Sequence, residues 1–105
     1  MSNFEVLEDY EGRKIRLTNE RWIHIQGHPE MDSQKTRIAE TLIQPDHVIV
    51  TDTDPSVAVY QRMYLQTPVT QKYLTIAVKI FANDAFVITA FYSSRQKKGQ
   101  IKWQK

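Results

Sequence analysis

The stretch Lys72-Tyr73-Leu74-Thr75-Ile76-Ala77-Val78-Lys79-Ile80-Phe81 alternates, with Leu74, Ile76, Val78 and Ile80 on one row and Tyr73, Thr75, Ala77 and Lys79 on the other. A period of two is that of a strand whose side chains fall on opposite sides of a sheet. Working outward, His47–Asp52, Val57–Gln66 and Ala85–Ser93 carry the same period, and Asp52-Thr53-Asp54-Pro55 and Ala82-Asn83-Asp84 supply turn residues between them. Connections this short favour antiparallel neighbours, so the second half of the chain reads as a four-stranded antiparallel sheet.

Ahead of Pro45 the period is helical. Thr18 is a good N-cap for a helix from Asn19 to about Gln26, with Leu17 and Trp22 placed as a hydrophobic staple. Gly27 offers a stop, and Pro29 pushes the residue before it out of helical geometry. Met31, Ile38, Ala39 and Leu42 recur at helical spacing, which predicts a second helix starting near Asp32 or Ser33. Phe4–Glu8 and Lys14–Leu17 flank the turn-like Asp9-Tyr10-Glu11-Gly12 and predict a short hairpin or arm. The expected class is α+β: one domain over residues 1–105, with N-terminal helices packed on one face of the four-stranded sheet.

A chain of 105 residues, 41% hydrophobic and 25% charged, is sized for one core. It has no cysteine, which excludes disulfides, thiolate metal sites and cysteine nucleophiles. The stretch from Met1 to Tyr10 is polar and acidic, unlike a signal peptide, and no run approaches the roughly 20 apolar residues of a membrane span. The expectation is a cytoplasmic protein. The net charge is +2, yet after Asp84 no acidic residue occurs while Arg95, Lys97, Lys98, Lys102 and Lys105 accumulate. That end is either a solvated basic tail or a contact for a polyanion.

Splitting each strand by face places Val57, Val59, Met63 and Leu65 beneath the helices with the Leu74 row, and Phe86, Ile88 and Ala90 beside them. The opposite surface then holds Tyr60, Arg62 and Tyr64, the Tyr73 row with Lys79, and Thr89 and Phe91. Tyrosines for stacking and cations for phosphates are the materials of single-stranded nucleic-acid binding. Tyrosine and threonine also suit any solvent-facing sheet surface.

Arg21, His24 and His28 follow at i, i+3 and i+7. The histidines can act as acid and base near neutral pH, as metal ligands with Glu30 as a third, or as polar residues at a helix end. His24 is not followed by the glutamate of a metalloprotease helix.

Arg21-Trp22-Ile23-His24-Ile25, His28-Pro29-Glu30-Met31, Thr41-Leu42-Ile43-Gln44-Pro45-Asp46, Tyr60-Gln61-Arg62, Val78-Lys79, Phe86-Val87-Ile88-Thr89-Ala90-Phe91 and Lys98-Gly99-Gln100-Ile101-Lys102-Trp103 together resemble the phage-type nuclease-like domains grouped with barnase, EndoU, colicin and RelE toxins. The resemblance runs from Leu17 onward. It implies helices followed by a four-stranded antiparallel sheet, and RNA cleavage without metal or other cofactor, in which the 2′-hydroxyl attacks the phosphodiester and leaves a cyclic phosphate. It also implies a toxin or phage-derived effector, with an antitoxin or immunity protein as partner.

Carried onto this chain, His28 and His24 are the available acid and base, Arg62 and Lys79 the phosphate binders, and Thr89 a hydroxyl donor. Tyr60 or Tyr64 is a stacking platform, and Arg21 and Lys98 add to substrate binding. RelE-type toxins often work with arginines and lysines alone, so structural histidines remain open. The alternatives are a non-catalytic RNA- or protein-binding module on the same fold and a domain that dimerises through a strand edge.

Overall fold

The computed structural model describes residues 3–105; Met1 and Ser2, the first two residues of the stretch read for a leader, lie outside it. The elements are β1 (Phe4–Glu8), β2 (Lys14–Thr18), α1 (Asn19–Gln26), a 3-10 turn (Pro29–Met31), α2 (Lys35–Ile43), β3 (His47–Val50), β4 (Val57–Tyr64), β5 (Lys72–Ile80), β6 (Ala85–Ser93) and β7 (Gln100–Gln104).

The expectation of a four-stranded antiparallel sheet is overturned. All seven strands join one mixed sheet in the order β1-β2-β6-β5-β4-β3-β7, with β2 and β6 parallel and the other pairs antiparallel. Strand makes up 44% and helix 19%, so the sheet, not the helices, defines the architecture. The N-terminal hairpin extends it at one edge through Arg16 opposite Phe86. At the other edge the basic C-terminal stretch extends it, pairing with β3.

Local chemistry explains the helix limits. The Thr18 hydroxyl accepts the Arg21 N–H at 3.1 Å and caps α1. Gly27 is still right-handed helical; His28, extended ahead of Pro29, makes the break. Ser33 adopts a positive φ of 62°, and α2 begins only at Lys35. Met31 is buried from the 3-10 turn rather than from α2.

Ile25, Met31, Ile38 and Leu42 bury against Ile15, Leu17, Tyr60, Leu74, Ile76, Val78, Ala85, Val87 and Ala90. Two of the expected faces are therefore corrected. On β4, Tyr60 lies opposite Ile76 and Arg62 opposite Leu74, so the tyrosine row faces the core and Val57, Val59 and Met63 face away from it. Both rows are apolar or half-buried, and alternation alone cannot tell which one meets the helices. On β6 the register shifts, Ala77 lying opposite Thr89 but Val78 opposite Val87. The extra residue Ile88 puts Val87 and Ala90 on the core side and leaves Thr89 and Phe91 on the outer face.

The six residues Ser94–Gly99 carry the chain from β6 past β5, β4 and β3 to β7. Four strand spacings amount to about 19 Å, close to the full reach of so short a segment at roughly 3.3–3.6 Å per residue. It crosses the outer face with bends at Ser94 and Arg95 and again at Gly99. Gly99, at φ +149°, ends the crossing where an added Cβ would stand 2.5 Å from the Val50 carbonyl oxygen and 2.7 Å from Ile49 Cγ2. No side chain other than hydrogen fits there.

Candidate nucleic-acid interface

The crossing segment is held by one buried amide. Gln61, 1% exposed, donates from Nε2 to Thr75 Oγ1 at 2.9 Å and to the Arg95 carbonyl at 3.1 Å. Its Oε1 accepts the Lys97 N–H at 2.8 Å and lies 2.7 Å from Nε2 of the buried His47. The Arg95 carbonyl needs a donor and the Lys97 N–H an acceptor, which orients the amide. His47 Nε2 must then carry its proton.

Clefts open on the outer face beside this segment. One, about 320 Å³, is lined by Gln61, Thr75, Phe91, Ser93 and the Arg95–Lys98 run; the other, about 140 Å³, lies along Thr51, Val57, Val59 and Ala77 and shares Thr75, Phe91 and Lys97 with the first. Arg95, Lys97 and Lys98 make no ion pair among the described residues, and no carboxylate lines either cleft. Such an array leaves its field open to an anion.

His28 reaches this face from the end of α1. β2 pairs with β6 only at Phe86, so the second half of β6 has no strand neighbour on that side, and the α1 corner fills the gap. The His28 backbone is fixed at both ends, its N–H donating to the Ile25 carbonyl and its carbonyl accepting the Met31 N–H. Its exposed ring comes 6.3 Å, centroid to centroid, from Phe91. Thr89 stands two residues along β6 on the same face, opposite Ala77.

The structure does not bring the remaining candidates to this point. Arg62 lies on the helix side, where Nη1 donates to the Gln44 carbonyl at 2.8 Å and Nε is 3.8 Å from Glu40. Tyr64 is beside it, bonded to Glu40 and covered by Arg37 at 4.4 Å. Tyr60 is wholly buried, its hydroxyl donating to Asp9 at 2.6 Å, so it offers no stacking surface. Burial and the neighbouring Asp9 push that phenol above its ordinary range.

Lys79 is on the outer face but bonds Asp54 at 2.6 Å. Lys79 and the Ser56 hydroxyl and N–H hold that carboxyl down at about 2. Arg21 and His24 stay on α1, and His24, Arg21, His28 and Thr89 all lie outside the lining of both clefts. His24, His28 and Glu30 do not gather as a metal-holding group, and no cluster of His, Asp or Glu does so among the described residues.

Sequence reasoning missed Gln61, His47, Arg95 and Lys97 as parts of one site. The signal for the cations was present in the acid-free C-terminal run; nothing marked Gln61 or His47, because their partners come from β5 and the crossing segment. No helix is long and apolar enough to cross a membrane among the described residues. Comparison of the chain with protein-family models, with curated proteins and with solved structures finds no match in any of the three.

Proposed function

We propose that the outer face binds single-stranded RNA and that the chain is a metal-independent endoribonuclease of the cytoplasm, acting as a toxin or phage-derived effector with a protein antagonist. The observation that carries this reading is a cleft without carboxylates lined by Phe91 and three unpaired cations, with the exposed His28 ring 6.3 Å from Phe91.

In this reading Phe91 stacks a base, and Arg95, Lys97 and Lys98 hold the phosphate and offset the charge that builds on it. Neutral His28 takes the 2′-hydroxyl proton as the 2′-oxygen bonds to phosphorus. The bond from phosphorus to the 5′-oxygen breaks, and the imidazolium returns the proton to that leaving oxygen. The products are a 2′,3′-cyclic phosphate and a 5′-hydroxyl. Thr89, on the same face, supplies a further hydroxyl.

The test is incubation of labelled single-stranded RNA with the protein in excess chelator. Cyclic-phosphate ends are expected, with His28→Asn slowing the reaction by about 10²-fold or more and a 2′-deoxy substitution blocking it. Intact RNA at high protein concentration, or equal rates for wild type and variant, would refute the catalytic role.

One observation favours a binding module instead: His28 meets Phe91 but lines neither cleft, while Arg62 and Lys79 are engaged elsewhere. Salt-sensitive RNA binding without cleavage would decide for it.

A further inference from the structure

A separate cleft, on the helix side and independent of the ribonuclease reading, opens between the β1–β2 turn, the C-terminal end of α2 and β7. It holds about 510 Å³ and is lined by Tyr10, Ile43, Gln44, Pro45, Arg62, Trp103 and Lys105. A volume of that order lies within the range of small-molecule sites, roughly 300–1,000 Å³.

Its aromatic wall is assembled from opposite edges of the sheet. Tyr10, from the first hairpin, meets Trp103, from the last strand, at 4.9 Å between centroids, and stands 6.1 Å from Tyr60 with 65° between the ring planes. The turn that presents Tyr10 is rigid. The buried Asp9 carboxylate accepts the Glu11 and Arg13 N–H groups at 2.9 Å each, Arg13 Nη1 at 3.0 Å and the Tyr60 hydroxyl. These bonds satisfy the buried carboxylate and hold the turn, and Tyr10 with it, in place before any ligand arrives.

The lining side chains carry two cations and no carboxylate. Arg62 spends Nη1 on the Gln44 carbonyl and leaves Nη2 without an acceptor among the described residues, and Lys105 stands on the same lining. Of the nearby carboxylates, Glu40 accepts the Tyr64 hydroxyl and lies 3.8 Å from Arg62 Nε, and Glu11 is engaged by Arg13 and Lys102. Ile43, 51% exposed, adds an apolar patch.

Flat aromatic surface, a partly unpaired guanidinium and a second cation fit a planar heteroaromatic ring bearing a phosphate. We infer that this cleft binds a nucleoside monophosphate unit through stacking on Tyr10 and Trp103 and phosphate contact with Arg62 and Lys105.

The test follows Trp103 emission in the Trp22→Phe protein during titration with adenosine 5′-monophosphate. To separate it from the outer face, it is repeated after Arg95, Lys97 and Lys98 are all replaced by alanine. Saturable quenching is expected in both proteins, weakened at least tenfold for adenosine and for Arg62→Met. A 5′-phosphorylated trinucleotide binding as tightly as the mononucleotide would identify a strand end as the source, and tenfold weaker binding would identify the free nucleotide. No saturable change up to about 10 mM, beyond the millimolar floor of specific small-ligand binding, would overturn the inference. So would quenching that Arg62→Met leaves intact, or that disappears with the outer-face cations.

Discussion

Replacing Gln61 by leucine removes the amide that ties the crossing segment to the sheet, and the cost can be worked partner by partner. Arg95 and Lys97 are exposed, so water can replace the amide at their carbonyl and N–H. Thr75 Oγ1 retains the Tyr73 carbonyl at 3.4 Å. His47, 4% exposed, is left with a buried donor and no acceptor. An orphaned buried donor costs about 1–3 kcal/mol, and the net value of the other lost bonds brings the total to roughly 3 kcal/mol. For a domain of this size that lowers Tm by roughly 12–24 °C.

A second substitution should rescue the loss. With His47→Leu added to Gln61→Leu, no donor is orphaned, and most of the loss should return because replacing both partners by apolar groups is nearly neutral. Urea unfolding of wild type, single and double variants reads both steps, and hydrogen exchange at the Lys97 amide reads release of the segment. A single variant within about 0.5 kcal/mol of wild type, the span of ordinary surface substitutions, would refute the reasoning. A double variant no more stable than the single would refute it as well.

Gly99→Ala forces a Cβ to 2.5 Å from the Val50 carbonyl oxygen and should cost more than about 1 kcal/mol, seen as a lower urea midpoint. Asp9→Ala strands the buried Tyr60 hydroxyl, while Arg13 keeps Glu11 at 3.6 Å, and should cost about 1–3 kcal/mol, measured the same way. The Asp54 carboxyl is depressed from 3.8 to about 2 by Lys79 and Ser56, so its contribution to stability is present above pH 3.8 and lost as pH falls through about 2. Acid unfolding of Lys79→Met should show a shallower decline across that window.

The strands from His47 to Ser93 and both helices were legible because their periods and punctuation are local: Thr18 caps, Pro29 and Pro45 break, and the Leu74 row alternates. Three things were not local. The sheet's edges depend on β2 lying beside β6 and β7 beside β3, pairings between segments distant in sequence. The face of β4 was inverted because the Ser94–Gly99 segment covers the row that would otherwise be solvated, making both rows look buried. The β6 bulge shifts phase by one residue at Ile88, which no composition rule marks. His28 and the cationic run were readable as chemistry, and their common face with Phe91 was not, since it depends on the gap left by β2 beside β6.

The account turns on the outer-face cations acting together on a phosphate backbone. Binding of a short single-stranded RNA, measured by fluorescence anisotropy across a salt series, tests this most directly. With Arg95, Lys97 and Lys98 each neutralising a phosphate, the log–log slope should be about −2. It should collapse toward zero when all three are alanine. A wild-type affinity indifferent to salt, or a slope that the triple variant leaves in place, would contradict the account.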